Sequence, residues 1–206
     1  MVLFLFIIAI LAPLVAPTNP FDPASLNLMN GFTPPMTPNM FTGQSFVMGA
    51  DDQGRDLLSA IIYGLRVSLF VGVMSVLLAM GIGVSLGLVA GYVGGWLDNL
   101  IMRIADIQLT FPSILIAMLI FGVLRGIIPP DLRDEMAIFV LIAAIGLSEW
   151  VPFARTVRAT TLVEKEKEYV QAARLIGLRR GQIMWRHILP NAVSYTHLRA
   201  HETDYY

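Results

Sequence analysis

The chain has 206 residues, of which 56% are hydrophobic and 14% charged, and its mean hydropathy is +0.68. That balance excludes an ordinary soluble domain and reads as an integral membrane protein in contact with lipid. A formal net charge of -1 leaves no field for holding nucleic acid, and the absence of cysteine removes disulfide and thiolate chemistry.

A helix needs about 20 residues to cross a hydrocarbon core of about 30 Å, so uncharged runs near that length mark the expected spans. Four appear, which predicts an all-α, polytopic fold. The first is Val2 to Ala16, VLFLFIIAILAPLVA, assigned to residues 1–17. It is short for a span at its very start, as a clipped helix would be, and the alternative of a signal peptide lacks a basic n-region. Residues 18–66 follow as an external segment. Thr18 to Met48, with Pro17 at its edge, holds half of the twelve prolines and no periodicity, which predicts a watery loop. In GADDQGRDLLSAIIYGLR, Asp51 or Asp52 is the expected N-cap of a short interfacial helix. Asp56 falls in its first turn, and Leu57, Leu58, Ile61 and Ile62 lie along one side.

Residues 67–193 carry the remaining spans. Val67 to Ala90 is charge-free, and Gly83, Gly87, Gly91 and Gly95 stand four residues apart, a small-residue face for close helix packing. GYVGGWLD just beyond it also reads as a turn. Ile107 to Leu124 is the third span, with a kink expected at Pro112. Met136 to Ala154 is the fourth, with Glu149 near its far end. Asp106 and Glu149 border spans and are read as solvated helix ends rather than pathway residues. Eight of the fourteen lysines and arginines lie between Arg155 and Arg186. The positive-inside rule therefore places residues 155–190 in the cytoplasm. Counting back puts the N-terminus there too, and the proline-rich loop outside.

Within that segment Tyr169, Ala172, Ala173 and Ile176 fall at helical spacing on one face, and Gly177 is the expected left-handed C-cap. A second short helix fits Gly181 to Leu189, bringing Ile183, Met184, His187 and Ile188 together, with Pro190 able to open a further helix. Such an elbow suits either a lipid surface, held by its arginines and Trp185, or a protein partner.

QAARLIGLRRGQIMWRHILP resembles the EAA loop of ATP-binding-cassette importer permeases, whose pattern is E-A-A, three residues, G, nine residues, I-x-L-P. Ala172, Ala173, Gly177, Leu189 and Pro190 are in register, while Gln171 stands where Glu is usual and His187 where Ile is usual. Upstream, Gly49, Asp51, Gly54, Arg55 and Asp56 match the G-T-D-x-x-G-R-D-x-x-S-R-x-x-Y-G-x-R-x-S-L segment of the peptide branch, with Ala50 where Thr is usual and Ala60 where Arg is usual. The resemblance implies the inner-membrane permease subunit of a bacterial dipeptide, oligopeptide or nickel importer, here with four of an expected six spans. It implies a second permease subunit, two ATP-binding cassette subunits and an extracytoplasmic solute-binding protein as partners. The ATPase contact would fall to the loop that holds Glu168, Gln171, Ala172, Ala173, Gly177, His187, Leu189 and Pro190. The chain has no phosphate loop of its own, so it is not expected to be an enzyme or to hold a cofactor. His197 and His201 lack a third ligand, and no metal site is expected. Residues 194–206, SYTHLRAHETDYY, read as a non-native tail.

Overall fold

The computed structural model describes residues 2–22 and 26–191, so the 194–206 segment with His197 and His201 lies outside the described residues. Two compact units divide the chain, residues 1–73 and 74–206, with the boundary inside its longest helix. Among the described residues every regular element is helical, and strand pairing is limited to an isolated bridge between Ala50 and Asp56.

The first unit opens with α1 (Val2–Ile10) and a single further turn, α2 (Ala12–Val15). Together they are shorter than the span expected over residues 1–17. Among the described residues the proline-rich segment carries the 3-10 turn Leu28–Asn30, and it is held by side chains. Asn30 is buried; its Nδ2 donates to Gln44 Oε1 at 2.6 Å, while its carbonyl accepts from Thr33 Oγ1 at 2.7 Å. Buried amides need such partners, because a lost hydrogen bond there exposes the full desolvation penalty.

Helix α3 (Leu57–Val93) runs for 37 residues, so the expected interfacial helix and second span are one continuous element. Its N-cap is Asp56 and not Asp51 or Asp52: Asp56 Oδ2 accepts from Ser59 N at 3.1 Å and also from the Ser59 hydroxyl. Ser59 and Ile62 are its buried residues there, whereas Leu57 and Ile61 face outward.

Asp51 organises the preceding turn instead. Its Oδ1 accepts from Gln53 N at 2.9 Å and Arg55 N at 2.8 Å, and its Oδ2 accepts from Arg55 Nε at 2.9 Å. Gly49 and Gly54 lie in the same turn, where Gly49 O accepts from Leu57 N at 3.1 Å. Burial would raise the Asp51 carboxyl, but the Arg55 and Gln53 backbone N–H groups and the Arg55 guanidinium outweigh it and hold it below the usual carboxylate range. A carboxyl depressed by folding stabilises above its unfolded pKa, and that contribution is lost as pH falls through the folded value. Hydrogen-exchange protection of the Gln53 and Arg55 amides is therefore expected to hold at neutral pH and fall on acidification below the carboxylate range. Asp51→Asn should flatten that dependence and remove about 1 kcal/mol or less at neutral pH.

In the second unit α3 ends at Gly94, whose φ of 68° only glycine adopts easily, and α4 (Gly95–Leu109) begins at once. The turn expected over GYVGGWLD thus narrows to one residue. Helix α5 (Ser113–Ile127) starts just after Pro112. The pair α4 and α5 is bent by 99° there, far more than a kink. Helices α6 (Arg133–Ser148) and α7 (Trp150–Glu164) meet at Glu149, bent by 41°. The fourth span was expected to run straight through this point. Pro152 supplies the reason: it has no N–H to offer the Ser148 carbonyl, which takes a hydrogen bond from Gln108 Nε2 at 2.8 Å instead. Among the described residues α3 alone is long and apolar enough to cross a membrane, or three spans if each bent pair counts as one. The four-span expectation is not reproduced in that form.

Candidate functional site

Gly83, Gly87 and Gly91 make the seat of the site by letting α3 and α7 touch backbone to backbone. A Cβ added at Gly83 would stand 2.4 Å from Trp150 O, at Gly87 2.4 Å from Ala154 O, and at Gly91 2.7 Å from Thr161 Cβ. Partner numbers rise with the glycine numbers, so the helices run parallel. Gly95 is not on this face: its φ is 63° and a Cβ there would meet nothing within 4 Å, so it serves the helix break.

Charged pairs then fix α4 against α7. Arg158 Nη2 donates to Asp98 Oδ2 at 2.7 Å, Arg158 Nε donates to Asp98 Oδ1, and Arg155 pairs with Asp106. Asp106 is therefore engaged with a cation. Trp150 Nε1 donates to Gln108 Oε1 at 2.8 Å, which closes the corner where α6 and α7 meet. Glu149 is half-buried at that corner.

The elbow follows α7. Its first limb is α8 (Glu168–Leu175). The second is α9 (Arg180–Gln182), which runs on as π-helical turns over Ile183–Ile188. Between them Gly177 has φ 82°, its N–H donates to Arg174 O at 3.1 Å, and Leu178 N donates to Ala173 O at 3.2 Å. These two bonds are those of a Schellman cap, which satisfies carbonyls the helix leaves open.

The two limbs turn one side inward. Val170, Ala173, Ile183, Met184 and Ile188 are buried together with Leu88 of α3 and Val157 of α7. Tyr92 and Tyr169 pack on the edge of this cluster. The face differs from the one expected at Tyr169, Ala172, Ala173 and Ile176: Ala172 and Ile176 point away from the cluster, and Val170 takes their place. The outward side leaves Leu175 88% and Ile176 75% exposed, beside exposed Ala172, Gln171 and Glu168. Gln171 Nε2 donates to Glu166 O at 3.0 Å. His187 and Leu189 are half-buried and Pro190 is exposed; His187 O accepts from Asn191 Nδ2 at 2.8 Å.

Glu164, Lys165 and Lys167 also belong to the site, although spacing alone did not single them out. Glu164 is 3% exposed and accepts from Lys167 Nζ and Tyr169 Oη, each at 2.6 Å. Lys165 Nζ donates to Gly91 O at 3.0 Å. Burial, then the adjoining Glu164 carboxylate, pushes the Tyr169 phenol above its ordinary range, so it stays protonated and donating at neutral pH. In the sequence these residues sit in VEKEKEY, a charge run that reads as a solvated face. Only the apolar neighbours Val163 and Val170 hint otherwise.

Residues 83–197 match the family described as binding-protein-dependent transport system inner membrane component. Over 195 residues the chain is 36% identical to the dipeptide transport system permease protein DppC of Haemophilus influenzae, covering 94% of this chain and 61% of that protein. It is 33% identical over 192 residues to the oligopeptide transport system permease protein OppC of Bacillus subtilis, covering 93% of this chain and 56% of that protein. The glutathione transport system permease protein GsiD of Pectobacterium atrosepticum is 40% identical over 147 residues, 71% of this chain and 46% of that protein. The chain thus spans about half to three-fifths of the length of these relatives.

Proposed function

The chain belongs to the family of binding-protein-dependent transport system inner membrane components, and on that premise we propose that it is a permease subunit of an ATP-driven importer of short peptides. Dipeptide, oligopeptide and glutathione permeases are among its relatives, and glutathione is itself a tripeptide. ATP hydrolysis falls to two separate subunits, a second permease completes the pathway, and an external solute-binding protein delivers the cargo. The elbow then faces the cytoplasm of a bacterial inner membrane, and residues 18–56 face the binding protein.

The two-sided elbow supports this reading most directly. Its inward side is sealed onto α3 and α7, while its outward side leaves Leu175 and Ile176 bare. Two adjacent large aliphatic side chains left in the open form an anchor for a partner's groove. Between the arginines and the short apolar ridge, the partner is steered by charge and held by burial.

Membrane vesicles holding this chain with a second permease and the ATP-hydrolysing subunits are expected to accumulate labelled dipeptide only when ATP and a solute-binding protein are both supplied. Uptake indifferent to ATP contradicts the reading. Retention of the elbow on anionic vesicles, with no protein partner required, favours instead a membrane anchor whose arginines and Trp185 rest on headgroups.

A further inference from the structure

We propose that Glu164 and Tyr169 form a clasp that makes α7 and both limbs of the elbow one rigid lever on the end of α3, so that both are positioning residues for the transmission of force. The proposal rests on the reading of the elbow as the seat of an ATP-hydrolysing subunit.

Glu164 is placed where a carboxylate is least welcome. It lies in the last turn of α7, at the negative end of the helix dipole, and it is 3% exposed. A buried charge persists only when it is paired and hydrogen-bonded. Each of its oxygens has its own donor: Lys167 Nζ on Oε1 and Tyr169 Oη on Oε2, both at 2.6 Å. These donors come from the corner and from the first turn of α8, so the carboxylate ties three successive pieces of chain together.

The same hydroxyl reaches the second limb. Tyr169 Oη lies 3.4 Å from His187 O, the carbonyl that Asn191 Nδ2 also approaches. On the far side of the corner Lys165 Nζ donates to Gly91 O, and the Arg174 guanidinium stands 5.3 Å over the Tyr92 ring. Gly91 and Tyr92 belong to the last turn of α3. The contacts therefore link the ends of α3 and α7 to both limbs. A push on Leu175 or Ile176 moves these ends together if the clasp holds. If it opens, the elbow swings about residues 165–167 and the push is lost.

The chain has no cysteine, so nitroxide labels can be placed on the full chain in nanodiscs at Leu175→Cys and Val93→Cys, both exposed. The wild-type background is expected to give one narrow distance distribution. Tyr169→Phe, which removes a single oxygen and keeps the ring, should at least double its width, and Glu164→Gln should do the same. In the assembled transporter both variants should keep ATP hydrolysis within about threefold while peptide carried per ATP falls about tenfold. A merely structural lesion lowers the two in step. Unchanged width in both variants overturns the clasp, and so does a doubled width with transport per ATP intact. Failure of the unsubstituted chain to associate with ATP-hydrolysing subunits contradicts the proposed function instead, and the distance measurement then still decides the clasp.

Discussion

Replacing Gly87 by leucine is expected to unseat α7 from α3 and to lower the unfolding free energy by about 3 kcal/mol or more. The first added carbon already stands 2.4 Å from Ala154 O and 3.0 Å from Ala154 Cα. Both are backbone atoms, which cannot swing aside as a side chain could. Relief requires the helices to part, and parting also breaks the neighbouring contacts of Gly83 and Gly91 and strips Ala90, Ile101, Ala105, Val151 and Ala154 of their shared packing. In lipid the hydrophobic effect does not draw these helices together, because acyl chains solvate apolar side chains as well as a neighbouring helix does, so close packing carries much of the contact. Gly87→Ala should fall short of this, at about 1 to 3 kcal/mol. Gly81, on the same helix but with nothing within 4 Å, supplies the opposite sign. Gly81→Ala is expected to stabilise by about 0.5 to 1 kcal/mol through the restricted unfolded backbone. Thermal or denaturant unfolding of the purified chain in micelles, followed by helical circular dichroism, reads all three. A neutral Gly87→Leu removes the parallel α3–α7 seat from the account.

The second large effect concerns the outward side of the elbow. Leu175→Glu with Ile176→Glu is expected to weaken association with the ATP-hydrolysing subunit by a factor of about 30 or more, the loss of a pair of buried anchors at roughly 2 kcal/mol or above. Both side chains are mostly exposed in the chain itself, so its own unfolding midpoint should not move by more than the scatter common to surface changes. Ala173→Glu behaves in the reverse way. Ala173 is 4% exposed and packed in the cluster of Val170, Ile183 and Ile188, so a carboxylate there destabilises the chain before any partner is met. Co-purification and unfolding measured side by side separate the two classes. Should Leu175 and Ile176 tolerate charge with no loss of association, the docking side has been misplaced.

The sequence made some of this legible for a physical reason. Glycines four apart follow the pitch of a helix, so the packing face at Gly83, Gly87 and Gly91 could be read without coordinates, as could the left-handed turn at Gly177. Gly95 has the same spacing but lies beyond the helix end at Gly94, and spacing carries no information about where a helix stops. Pro112 signalled a bend without its size, since a missing N–H breaks one bond and tertiary contacts decide the angle. The break at Glu149 had a comparable signal in Pro152 three residues on, but the uncharged run around it outweighed that signal. Asp56 displaced Asp51 as the cap because only Asp56 reaches the Ser59 N–H, a choice made by turn geometry. The inward side of the elbow was shifted by about one position: Tyr169 stays on the edge of the cluster while Val170 replaces Ala172 and Ile176, a choice between adjacent helix faces that periodicity does not make. Glu164 was hidden entirely. Two lysines and two further glutamates follow it and look like a wet surface, and only the fold reveals that one of these five charged residues is closed from water.

Force transmission through the elbow requires its outward side to be seated on an ATP-hydrolysing subunit. A photo-crosslinking amino acid placed at Leu175 in the assembled transporter tests it directly, with the same probe at Val170 as the inward control. The expected result is an adduct with the ATP-hydrolysing subunit from position 175 and none from position 170. Adducts confined to lipid at position 175, in a transporter that still hydrolyses ATP, would contradict it.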